Sequence, residues 1–200
     1  PVRKPGTTGK FYTPQQVFDA LDASAKKHNH KLISASASEG TLGREHLFEL
    51  LELVDQSPYV YVLETNGMTL GDDPEFAQQL ARFRNLHVRV SIKGTSPEEY
   101  HTLTGARASS YALPFRALEH LIASGVSCNA CVTVSFSTDE GIERVKERLA
   151  AIRPGILTSL ELEHITLFPK VAKRLREAGI TPRAVRHRGR IVHLENIPTI

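Results

Sequence analysis

The chain has 200 residues, with 25 Lys and Arg against 22 Asp and Glu, a formal charge of +3, and nine His besides. At 40% hydrophobic and 24% charged residues it has the composition of a globular domain that buries roughly 70% of its unfolded surface, which excludes disordered, collagen-like and small disulfide-stapled chains. No apolar run approaches the roughly 20 residues that span a bilayer, and no apolar segment follows the basic start Pro-Val-Arg-Lys, so a cytoplasmic protein without a membrane partner is expected.

Residues 1–12 mix Pro, Gly and basic residues without an apolar period and read as an irregular loop. Thr13-Pro14 with Gln16 forms a capping box, and Val17, Phe18, Leu21 and Ala25 recur at helical spacing, which predicts a helix over 14–28. A short strand is expected from Lys31 to Ser36. Leu47, Leu50, Leu51 and Val54 then make an apolar helical stripe. The run Tyr59 to Glu64 is β-branched and aromatic and ends at Asn66-Gly67, and Asp73-Pro74 opens the next helix. Leu86 to Lys93 alternates strictly. A helix capped by Ser96 breaks at Thr104-Gly105 and resumes near Pro114. Further strands are expected at Ala130 to Phe136 and Leu157 to Leu162, and further helices at 139–152 and 169–178.

The order is a helix followed by five strand-helix units. Strands joined by helical crossovers run parallel, and closing eight such units takes about 250 residues, so the fold class is α/β with an open sheet or an incomplete barrel. In the strand from Leu86, His87, Arg89, Ser91 and Lys93 share one face; in the strand from Ala130, Cys131, Thr133, Ser135 and Ser137 do. A wet barrel lumen explains both polar faces; an edge strand facing solvent explains one of them. The organisation expected is an irregular loop at 1–12, a partial barrel domain at 13–180 and a basic tail at 181–200. The tail's Arg183, Arg186, Arg188 and Arg190, with His187, read either as a solvated segment or as a contact for RNA phosphates.

In parallel α/β folds, ligands meet the loops at the C-terminal ends of strands. Here those loops are small and polar: Ser36 to Gly43, Glu64 to Gly67, Lys93 to Ser96 and Ser135 to Ser137. The series Ser36-Ala37-Ser38-Glu39-Gly40-Thr41-Leu42-Gly43, then Thr65-Asn66-Gly67, then Ser91-Ile92-Lys93, resembles the activating-enzyme-like branch of the radical S-adenosylmethionine (SAM) superfamily. The resemblance covers roughly residues 8–137. It implies a partial (β/α)6 barrel whose first strand is absent here, and two cofactors, SAM and a [4Fe–4S] cluster. The cluster reduces SAM to a 5′-deoxyadenosyl radical, and its three-cysteine loop would lie upstream of Gly9, so this chain alone does not bind it. The chain is accordingly read as a piece of a longer one, its start at Pro1 being equally that of a processed or tag-cleaved protein.

By the resemblance, Ala37, Ser38 and Glu39 match the Gly-Gly-Glu segment that receives the amino group of SAM, with Cβ atoms where the family has glycines. Asn66 matches a ligand position and reads equally as a turn residue. Ser91 stands where the branch often has Asp. Lys93 is placed to take the SAM carboxylate or an anionic substrate, or merely ends its strand, and Ser135 stands at a ribose-contact position. No metal ligands are assigned, because Cys128 and Cys131 lie three apart on an alternating strand and face opposite sides. Three functions follow: a radical SAM domain acting on a small-molecule or macromolecular substrate, RNA among the latter; a non-catalytic α/β-barrel binding module; and a different barrel enzyme using Lys93.

Overall fold

The computed structural model describes residues 9–36 and 38–193. The chain runs through α1 (Pro14–His28), β1 (Leu32–Ile33), α2 (Arg44–Asp55), β2 (Val60–Thr65), α3 (Met68–Asp72), α4 (Pro74–Leu80) and β3 (Leu86–Lys93). It continues through α5 (Pro97–Thr104), α6 (Leu113–Ala123), β4 (Cys128–Thr133), α7 (Asp139–Ile152), β5 (Glu161–Glu163) and α8 (Pro169–Glu177), and ends in β6 (Ala184–His187) and β7 (Arg190–His193).

Local chemistry sets the helix ends. At α1 the Thr13 hydroxyl accepts from Gln16 N at 3.2 Å while the Gln16 side chain accepts from Thr13 N at 2.9 Å, and Asn29 closes the helix at a left-handed φ of 54°. Asp73, Ser96 and Thr138 cap α4, α5 and α7 through their side chains.

The sheet order is β1-β2-β3-β4-β5. Strand β1 pairs parallel with β2, β2 with β3 and β4 with β5. Between β3 and β4, Val88 N donates to Ser127 O and Gly94 N to Thr133 O; the partners advance together along both strands, as only a parallel pair requires. The alternation of β3 is realised, with Val88, Val90 and Ile92 fully buried and His87, Arg89, Ser91 and Lys93 half-exposed.

Two compact units divide the chain: residues up to Val90 with Arg116–Cys128, and Ser91–Phe115 with the residues from Asn129 onward. The first has its core in Leu51, Val54, Leu70, Phe76, Leu80 and Leu118. The second has its core in Ile92, Phe115, Val132, Leu149, Ile156 and Val185.

Several boundaries differ from the sequence expectation. Strand β1 pairs over two residues where six are expected, since the alternating Ser and Ala of 34–38 have little side chain to pack on a sheet. Strand β4 begins two residues earlier and ends at Thr133, because Ser137 N turns back to Val134 O. The stretch Pro154–Ser159 winds into a 3₁₀ helix, which pushes β5 on to Glu161–Glu163. Helix α3, five residues long, is not signalled by any apolar period. Most of all, residues 184–193 are an antiparallel hairpin where a tail is expected.

Candidate functional sites at the loop ends of the two units

In the first unit, Ala37 lies outside the described residues and Ser38 is exposed. Glu39 is not a free carboxylate. Its Oε1 accepts from the Thr65 and Thr41 hydroxyls, each at 2.7 Å, and its Oε2 accepts from Asn66 N at 2.7 Å. Residues 26 and 27 positions apart in sequence are thereby joined, and the loop after β1 is fastened to the loop after β2. The Thr41 hydroxyl continues the network to Thr69 at 3.2 Å. Asn66 is exposed, and its side-chain oxygen accepts from Met68 N at 2.9 Å, an Asx turn at the entry to α3.

In the second unit, Lys93 at the end of β3 meets the Thr133 hydroxyl at 3.1 Å and the Glu163 carboxylate at 3.5 Å, and Thr133 donates to Glu163 at 3.2 Å. Neither Lys93 nor Glu163 was paired by sequence reasoning. The signal was the alternation Glu161-Leu162-Glu163, which puts both carboxylates on the face shared by Thr133 in register. Lower on that face the Asn129 amide donates to Glu161 at 2.8 Å. Ser91 is half-buried on the same side of β3 as Lys93. Ser135 is fully buried; its hydroxyl accepts from Ile165 N at 2.8 Å and its carbonyl from Ala184 N at 3.1 Å.

Glu99 repeats in this unit what Glu39 does in the other. Its Oε2 accepts from Thr95 N and the Thr95 hydroxyl at 2.9 and 2.8 Å, and its Oε1 from the Ser137 hydroxyl at 2.7 Å, which fastens the loop after β3 to the loop after β4. The Tyr111 hydroxyl, which burial pushes up to about 12, donates to Gly94 O in the first of these loops.

A cleft of about 710 Å³ opens in the second unit, lined by Ser137, Thr138, Asp139, His164, Arg183 and His193 among others. His164 is held below the ordinary histidine range, first by burial and then by Arg186 and His193. Its Nδ1 is buried without a hydrogen-bond partner, and in the first unit Ser34 Oγ is likewise.

Cys128 and Cys131 are not joined in a disulfide and are 6% and 0% exposed. Among the described residues no group of three or more His, Cys, Asp and Glu is arranged to hold a metal, and two cysteines in the whole sequence fall short of the thiolates an iron–sulfur cluster needs. No described helix is long and apolar enough to cross a membrane.

The profile of the radical SAM superfamily matches residues 2–149. The fold is shared with Streptococcus suis SuiB: the structure bound to S-adenosylmethionine superposes with a TM-score of 0.60 at 14% identity, over 74% of this chain and 33% of that one. The structure of SuiB bound to its precursor peptide SuiA gives 0.61 at 14% identity, over 74% and 32%. The chain thus spans about a third of the length of these structures. No curated protein sequence matches it significantly. The likeness establishes the α/β class and the partial (β/α) barrel of this fold.

Proposed function

The chain belongs to the radical SAM superfamily, and on that premise we propose that it is the SAM-binding part of a radical SAM enzyme. The observation that carries this reading is Glu39, whose carboxylate brings Thr65 and Asn66 to the Ser38 loop. Two of the family's separated motifs are thereby one structure.

In this reading the backbone at Ser38 and Glu39 receives the ammonium of the amino acid end of SAM, and the exposed Asn66 offers its side-chain amide nitrogen. In the second unit Lys93, tempered by Glu163 at 3.5 Å, serves an anionic group of a ligand, and Ser91 contributes a hydroxyl on the same side of β3. Ser135, with its hydroxyl engaged by Ile165 N, acts as a positioning residue for the loop after β5. When bound, SAM supplies the 5′-deoxyadenosyl group on which the family's chemistry depends. The described residues do not fit the cluster, and no step is derived through it; in the reading offered, its cysteines belong to another part of the protein. A soluble cytoplasmic setting and a substrate that is small or macromolecular, as a peptide is for SuiB, accord with this reading.

The test is calorimetry with SAM on this chain, followed by anaerobic reconstitution of the longest form of the protein the gene encodes. Micromolar to millimolar SAM binding that weakens at least tenfold in Asn66→Ala, with 5′-deoxyadenosine formed on reduction of the reconstituted protein, is expected. Binding without 5′-deoxyadenosine would support the second reading, a non-catalytic SAM-binding module. Failure of both forms to bind SAM would end both readings.

A further inference from the structure

The formal charge of +3 hides a division. Residues 165–193 hold eight Lys and Arg and one acid, Glu177, while the rest of the chain has more acids than bases. All eight cations (Lys170, Lys173, Arg174, Arg176, Arg183, Arg186, Arg188 and Arg190) are exposed. The ion pair recorded among them is Lys173 with Glu177 at 3.7 Å, within α8.

The hairpin at the end of this segment is a fixed element. Ala184 and Val185 are 5% and 1% exposed, Arg186 N donates to Ile165 O at 2.8 Å, and Thr166 bridges Arg186 in parallel. Strands β6 and β7 pair over four residues each, in antiparallel register from Ala184↔His193 to His187↔Arg190, and the part beyond the buried base runs from Arg186 to Ile191. The two-residue turn is Arg188-Gly189, with φ of 48° and 80°. Both values are positive, the condition of a type I′ turn, whose first position is ordinarily Asn, Asp or Gly. An arginine there bears a steric cost of about 1 kcal/mol, so the apex carries a cation where conformation alone favours another residue.

We infer that the β6–β7 hairpin is a binding element for the phosphate backbone of a nucleic acid duplex. Its cations are all arginine, whose planar fork matches phosphate oxygens two at a time. The hairpin itself, residues 184–193, holds no Phe, Tyr or Trp, the nearest exposed aromatic in sequence being Phe168 at the start of α8, so the contact of the hairpin is to the sugar-phosphate chain rather than to stacked bases. This inference does not rest on SAM binding, so either can fail alone.

Fluorescence anisotropy with the full chain and three labelled probes tests it: a 20-base-pair DNA duplex, the same sequence as RNA, and a poly-glutamate peptide of matched charge. Duplex binding is expected to weaken roughly 40-fold between 50 and 200 mM salt, as the three phosphate contacts of Arg186, Arg188 and Arg190 require. Tighter binding of one duplex than the other tells which nucleic acid is the partner, and either supports the inference. The variant R188N, which suits the turn, is expected to bind five- to tenfold more weakly, about one phosphate contact, while melting no lower than the parent. The triple variant R186Q/R188N/R190Q should lose about 100-fold; should it fail to fold by circular dichroism, R188N alone decides. Absence of duplex binding at 50 mM salt, an unchanged affinity in R188N, or poly-glutamate binding as tight as the duplexes overturns the inference, the last assigning the surface to an acidic protein instead.

Discussion

Glu39 and Glu99 each accept three hydrogen bonds of 2.7–2.9 Å from two neighbouring strand-to-helix loops. A carboxylate suits this place because it accepts on both oxygens and donates on neither. In Glu99→Gln one oxygen becomes an NH₂ that faces donors, so a loss of about 1–3 kcal/mol is expected, read as a lower urea midpoint. Glu39→Ala leaves the hydroxyls of Thr41 and Thr65 and the N–H of Asn66 without their acceptor and is expected to cost a similar amount. His164 sets a pH dependence. Its folded pKa is lowered, first by burial and then by Arg186 and His193, so as pH falls the unfolded chain takes up that proton first. Its contribution is therefore complete above the ordinary histidine value of about 6.5 and is lost as pH drops below it. Asp139 and Glu140 line the same cleft, and Glu140 stays ionised there because its own backbone N–H and the Thr138 hydroxyl hold its carboxyl low. The urea midpoint between pH 7.5 and 5.5 should fall less steeply in His164→Gln than in the parent; equal slopes would remove this account.

Among the elements, α7 shows how tightly the loops are set. A Cβ at Gly141 would meet the Thr95 hydroxyl closer than any real contact and the Thr95 Cβ at 3.2 Å. Gly141→Ala, which elsewhere in a helix would stabilise, is therefore expected to cost about 1–3 kcal/mol by overpacking, whereas Gly155→Ala, with open space around it, should change stability by less than about 0.5 kcal/mol. The same elements tell what a sequence reveals. Where a period of 3.6 or 2 is long and a cap is chemically explicit, as in α1, β3 and α7, the expected and observed bounds coincide. Two-residue β1 has no period to read. The β6–β7 hairpin escaped because its turn is Arg-Gly rather than Asn-Gly and its strands carry Arg and His on an exposed ribbon. The polar loops at the strand ends were legible, but the partners of Lys93 and Glu39 were not, since pairing across strands depends on register and the register on packing.

For the molecule as a whole, sequence patterning gave the parallel α/β order, and the family match and the shared fold agree with it. The sheet order β1-β2-β3-β4-β5 is also the order of synthesis. Each strand finds its neighbour in the one made immediately before it, so no segment waits for a distant partner and none is inserted between two already paired. Among the described strands the order never reverses, and reversal of the order is what creates the usual nucleotide seat of doubly wound sheets. In each unit the ligand chemistry of the sheet thereby falls to the loops where strands give way to helices, and emergence from the ribosome completes those loops one at a time, from β1 toward β5.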